Sequence, residues 1–320
     1  MIQLILIGVG AGAASALLVA SVASGTVLSI VLLQFAALPI LIATIGWNPR
    51  TGIVAAGVAA IGLGVAVDWR FSLAFAVGVG APAWWLGYLA MLARPGAENE
   101  PLEWYPAGRL VLWTAVLGAL GMVVAILYAG FGQQSFEVAL RASFERIFRA
   151  RMAADGPLQV PGIDDPQRFL DVLVAVVPMA AAIFGTVVLM LNLWLSARVV
   201  QLSGRLRRPW PELPSMQFPV TAAGAAALTL AGSFIPGNVG LIAGLFAVAL
   251  LIAYGALGLA VLHAITRNTA GRPIMLGATY ALILVQGWPI LIASLLGLID
   301  SAFDLRGRIA RRRGPPTINI

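Results

Sequence analysis

The stretch Gly80-Ala81-Pro82-Ala83-Trp84-Trp85-Leu86-Gly87-Tyr88 lies inside an apolar run over residues 71–92. At about 1.5 Å of helical rise per residue, such a run covers the roughly 30 Å hydrocarbon core of a bilayer, so it reads as a membrane-spanning helix. Pro82 stands near its midpoint. Proline lacks a backbone donor and its ring crowds the carbonyl four residues back, here that of Gly78, so a kink is expected. Lipid cannot satisfy the freed carbonyl. It must face protein or a wet cavity, and two tryptophans stand beside it.

Composition extends this reading to the whole chain. Of 320 residues, 60% are apolar and 10% are charged, and the mean hydropathy is +0.95; soluble domains carry about 25% charged residues. The expected fold class is all-α, a polytopic integral membrane helix bundle. It should have about 8–9 transmembrane helices and one amphipathic surface helix.

Charge and residue chemistry narrow the function. The 20 basic residues are all arginine and, with 13 acids, leave a net charge of +7. Spread over many loops, they suit anionic lipid head groups at the bilayer surface and not nucleic acid. With 0 cysteines, disulfides, thiolate metal sites and cysteine nucleophiles are excluded, and His263 is the only imidazole. No metal or cofactor is expected. No enzyme activity is expected either, because no base, nucleophile and metal-carboxylate set falls within one reach.

The N-terminus is apolar from its second residue and lacks a basic region before its apolar run, so it reads as a retained first helix. Hydrophobic segments cover residues 2–22, 27–46, 51–67, 71–92, 107–130, 170–197, 219–234, 239–263 and 274–299. The division expected is a membrane half over 1–130, an amphipathic helix and linker over 131–169, a second membrane half over 170–299 and a polybasic tail over 300–320.

Gly8, Gly12, Ala16, Ala20 and Ser24 recur every fourth residue in the first segment, a small-residue face that admits a second backbone closely. It packs internally or docks a membrane-protein partner. In 131–168, Phe136, Leu140, Phe144, Ile147 and Phe148 recur at helical spacing, with Glu137, Arg141, Glu145 and Arg149 opposite. That pattern is an amphipathic helix on the membrane surface. The Gly156-Pro157 and Pro161-Gly162 pairs mark a linker, and Asp165-Pro166 reads as cap and first turn of the next helix. Asp164, Asp165 and Asp171 are assigned to capping and surface roles, not to a metal site.

Proline interrupts four apolar segments, at Pro39, Pro82, Pro178 and Pro289. Gln34, Asn192, Gln286, Trp84, Trp85, Tyr88 and Trp288 lie in the same segments. Broken helices near the midplane are where transporters hold solutes, so these residues are the ligand-binding candidates. Segments four and nine, around Pro82 and Pro289, are expected to share one cavity. Tryptophan and amide groups suit a neutral or aromatic small molecule. Asp68, Asp171 and Asp300 sit at segment ends, which speaks against a proton- or sodium-driven carrier.

Orientation stays open. A cytoplasmic N-terminus places Arg50, Arg94, Arg109, the arginines of 198–208, Arg267 and Arg272 inside, as the positive-inside rule asks. Nine crossings would send Arg306, Arg308 and Arg311 outside, so eight crossings compete with nine.

Further positions carry a family resemblance. Leu38-Pro39-Ile40, the stretch 80–88, Glu103-Trp104-Tyr105-Pro106-Ala107-Gly108-Arg109, Ser203-Gly204-Arg205-Leu206-Arg207-Arg208-Pro209-Trp210, Leu296-Gly297-Leu298-Ile299-Asp300 and Asp304-Leu305-Arg306 together resemble the YybS-like predicted membrane proteins. The first half is similar to the S components of energy-coupling-factor vitamin transporters. The resemblance implies a bacterial cytoplasmic (inner) membrane protein that binds a small molecule in a pocket open to the outside and docks a coupling subunit on segment one. The competing reading is a membrane scaffold or envelope assembly factor that transports nothing.

Overall fold

The computed structural model describes residues 1–96, 101–130, 136–155, 165–267 and 269–313. The linker over 156–164 with Asp164 and the tail beyond Arg313 lie outside these. Helix α1 (Ile2–Ala20) ends through a tight turn at Gly25, whose φ of 64° is costless only without a side chain. Thr26 then caps α2 (Val27–Gln34) by accepting from the Ser29 N–H.

Three of the four prolines fall in the first turn of a helix, where proline is tolerated, and Pro178 alone of the four lies in a helix interior. Pro39 occupies the first turn of α3 (Leu38–Gly46), where its missing donor is not needed, so the second span is two short helices rather than one kinked one. Asn48 and Asp68 cap α4 (Pro49–Ala66) and α5 (Trp69–Phe75) by accepting from Arg50 and Arg70 N–H. Helix α5 widens into a π-helical turn at Ala76–Gly80 before α6 (Ala81–Ala90), whose first turn holds Pro82. The wide turn relieves the proline clash, and Pro82 is buried against protein, not lipid. Pro178 lies within a continuous α9 (Pro166–Leu202), and Pro289 opens α13 (Pro289–Phe303).

A short hairpin of β1 (Ala93–Arg94) and β2 (Glu103–Trp104) joins α6 to α7 (Ala107–Gly130). Helix α8 (Phe136–Asp155) is the amphipathic element and rests on α7 and α9. Glu145 and Arg149 pair within it at 3.5 Å, and Arg141 pairs across to Asp171 of α9. Asp165 caps α9 by accepting from the Gln167 N–H at 2.8 Å, as the Asp-Pro spacing predicts.

The chain continues through α10 (Val220–Gly232), α11 (Asn238–Ile265), α12 (Arg272–Gln286), α13 and α14 (Leu305–Arg313). Two apolar clusters form the core. One gathers α1 to α6, the other gathers α10 and α11, and α7 and α9 contribute to both.

Close approaches between small residues set the direction of the helices. Gly8 meets Thr51 and Val54, and Gly12 meets Ala55 and Val58, so α1 and α4 run parallel with their starts at the same end. Gly46 faces Val200, which brings the end of α9 to that end too. Arg267, after α11, pairs with Glu212 at 3.8 Å, and Arg306, after α13, reaches the Pro214 carbonyl at 2.7 Å. Both contacts fall on one loop, residues 203–219.

The pair α12–α13 therefore leaves and returns to one end of the bundle. Gly287, with φ 71°, makes the turn between the two helices. Seven described spans are long and apolar enough to cross a membrane. Helix α10, with 13 residues, covers about 20 Å and supplies the return pass between α9 and α11. With α10 counted as the return between α9 and α11, Arg50, Arg94, Arg109, the 203–208 loop and Arg306 share one end of the bundle.

Candidate binding cavity

Trp84, Trp85 and Tyr88 project from one side of α6, and Trp85 meets Trp113 of α7. Trp84 and Tyr88 stack with centroids 5.9 Å apart, and Trp85 meets Trp113 edge-on at 5.4 Å. Offset and edge arrangements of this kind are the favoured aromatic contacts. Trp84 donates to the Pro49 carbonyl at 3.2 Å, and Trp113 donates to the Tyr105 hydroxyl at 3.1 Å. These rings pack one another and the core around α3 and α4; they form a filled cluster and not the wall of a midplane cavity.

Asn192 and Gln34 are brought together, for a structural reason. The break between α2 and α3 leaves the Gln34 carbonyl without a helical donor, and Asn192 supplies one from Nδ2 at 2.7 Å while also donating to Val188 O. Asn192 is fully buried. The Gln34 side chain turns back to the Ile30 carbonyl at 3.0 Å. Asn192 is internal, whereas the Gln34 side chain stays half-buried on its own helix and does not turn into the bundle. The partner of Asn192 is the broken backbone.

Gln286 and Trp288 stand apart from both groups. They bracket Gly287 in the turn between α12 and α13, with Trp288 Nε1 donating to Gln286 Oε1 at 2.9 Å. Trp288 is 58% exposed, and α12 buries no residue. Helix α6 packs on α3, α4, α7 and α9, whereas α12 rests on α13 and touches His263 of α11 through Tyr280. The cavity expected between segments four and nine is thus not formed. The reason is the α11–α13 crossing: Gly258 admits the Ala293 carbonyl, Gly297 admits the Tyr254 carbonyl, and Ser294 donates to Leu251 O at 2.6 Å. That crossing holds α13 against α11, away from α6.

Open space lies instead at the arginine-rich end. A cavity of about 420 Å³ separates the ends of α6 and α9 from the loop after α9. Leu110, Met190, Leu193 and Met216 line it, and Arg208 is the one charged residue among the described lining. Arg208 donates from Nη1 to the Ala90 carbonyl at 3.2 Å. Burial lowers its pKa, because the charged form loses hydration there. Trp194 and Trp210 flank the cavity, and the Arg198 guanidinium stacks over Trp210 at 5.6 Å.

The description "predicted membrane protein (DUF2232)" matches residues 13–301, nearly the whole chain. The chain belongs to this DUF2232 family. No curated protein and no solved structure matches it. The family match runs from within α1 to within the last turn of α13, so it takes in most of the bundle and the whole cavity lining.

Two further hollows are more polar. One of about 350 Å³ lies beside the β1–β2 hairpin, where Arg94 and Glu103 pair at 2.7 Å. The hydrogen bond from Arg94 holds the Glu103 carboxyl below its ordinary pKa. The other, about 340 Å³ at the opposite end, is floored by Pro178 and bridged by the Arg141–Asp171 pair. Among the described residues no cluster of His, Asp or Glu is placed to hold a metal ion.

The sequence carries a signal for the main cavity in Arg208-Pro209-Trp210-Pro211, which closes the basic loop after α9. Two prolines around a tryptophan make a stiff segment, and the structure folds it back over the end of α9.

Proposed function

We propose that the protein is a small-molecule-binding membrane component whose site is the cavity at the arginine-rich end. The observation that carries this reading is the cavity itself. Its volume of about 420 Å³ lies within the roughly 300–1,000 Å³ of ligand pockets, and an apolar wall with few polar groups is their usual make-up. Loop arginines concentrated at that end make it the cytoplasmic face of a bacterial inner membrane, with anionic head groups against it and the N-terminus on the same side.

The resemblance to YybS-like proteins and to S components is compatible with binding, with two changes. The pocket belongs to the arginine-rich end, not the outer one. A coupling partner would not sit on Gly8 and Gly12, which α4 occupies. Gly10, Ala13 and Ala14 form the face of α1 left exposed, and a partner subunit fits there. That open face also supports the scaffold reading, in which the same surface seats an assembly partner and the cavity has no role.

The test is thermal stabilisation of the purified protein by a metabolite and lipid panel, run beside Ala197→Trp, which fills the cavity. Stabilisation of the wild type that is lost in Ala197→Trp is expected. Absence of any stabilisation, with a stoichiometric partner recovered from native membranes, would favour the scaffold.

A further inference from the structure

Taking the cavity as the ligand site, we infer that it takes up one long acyl chain of an amphiphile whose acidic head group is held by Arg208. The head group is a fatty-acid carboxylate or the phosphate of an anionic phospholipid. The walls offer such a chain methyl, methylene and ring surface from α7, α9 and the covering loop, and almost nothing to a polar molecule. Arg208 stands at the loop side of this space. Its guanidinium carries five N–H donors, and the bond to Ala90 O uses a single nitrogen.

No carboxylate among the described residues pairs with Arg208. Two other cations at this end are matched, Arg267 by Glu212 and Arg306 by Asp300, and Arg205 stacks over Trp47. A cation withdrawn from water and left unmatched beside an apolar wall is complemented by an anion at the end of a hydrocarbon chain. The planar fork of arginine fits carboxylate or phosphate oxygens two at a time. The neutral or aromatic ligand suggested by the tryptophans would leave that fork without an acceptor.

Access is sideways. Leu191 and Trp194, on the rim, are 45% and 51% exposed, on the side of α9 that faces lipid. A chain entering from the bilayer therefore finds Arg208 at head-group depth. Arg198, stacked on Trp210, adds a second cation near the same mouth.

The experiment measures quenching of tryptophan fluorescence by three brominated probes on the purified full chain: a long-chain fatty acid, the corresponding alcohol, and a phosphatidylglycerol. Saturable quenching that disappears in Trp194→Phe/Trp210→Phe reports occupancy of the cavity. The acid is expected to bind about tenfold or more tightly than the alcohol, as charge-assisted hydrogen bonds predict. Arg208→Gln should erase that preference, and Arg208→Lys should retain much of it. Tighter binding of the phosphatidylglycerol than of the acid identifies the phospholipid as the source, and the reverse identifies the free acid. If alcohol and acid bind equally in wild type, or Arg208→Gln keeps the preference, the head-group assignment is overturned while the cavity remains a ligand site. If no probe quenches Trp194 and Trp210, the ligand-site reading falls as well.

Discussion

The Arg306 guanidinium donates to the Pro214 carbonyl at 2.7 Å, tying the end of α13 to the loop that follows α9. One contact thereby decides that the last apolar segment turns back. Because the chain has 0 cysteines, the consequence can be read by single-cysteine labelling in sealed vesicles. Cysteines at Ser203, Thr269 and Arg311 should react from one side, and cysteines at Ser24 and Asn238 from the other. Reaction of positions 269 and 311 from opposite sides would restore a ninth crossing.

Asp300 receives the other donors of Arg306, from Nε at 3.0 Å and Nη2 at 2.7 Å, with side chains 3% and 14% exposed. Removing one partner strands a buried charge, so Asp300→Ala should destabilise the protein by about 3–5 kcal/mol. Replacing both by leucine should recover much of that loss. Melting in detergent measures both, and a double variant as unstable as the single one would show that the pair is needed for more than charge matching.

Asn192→Leu removes the donor from the Gln34 carbonyl at the α2–α3 break. The expected cost is about 1–2 kcal/mol, since hydrogen bonds inside membranes are worth little more than in water. Unchanged thermal stability would mean that another donor reaches the break.

Gly258→Val places side-chain carbon where the Ala293 carbonyl now lies, and that carbonyl belongs to a helix backbone that cannot swing aside. Overpacking of this kind costs about 1–3 kcal/mol. The same substitution at Gly57, where an added carbon meets open space, should be nearly silent. Equal effects at the two positions would contradict the α11–α13 crossing.

How much was readable in advance depended on how local each cause was. The cap at Asp165 and the helical spacing of α8 rest on residues within one or two turns of each other and are legible in the sequence, whereas the cap that Asp68 gives α5 is added by the structure. Pro39, Pro82 and Pro289 were recognised as breaks, but their meaning changed. Each opens a helix, and the π turn before Pro82 depends on how Gly80 and Phe75 pack. Trp84, Trp85 and Trp288 were grouped because they share a chemistry. Sharing a chemistry does not place side chains in contact, and Trp288 lies on the far side of a turn from everything that Trp84 touches.

Apolar length, sparse charge and arginine-only loops determined by themselves that this is a multi-pass helical membrane protein, because a bilayer imposes length and polarity rules that act along the chain. What only the tertiary structure decided is where the chain returns and where space is left. The gap under Arg208 and the retreat of α13 arise from contacts such as Gly258 with Ala293 and Arg306 with Pro214, between residues far apart in sequence. Hydrophobicity does not encode such pairings; close packing and buried donors select among them.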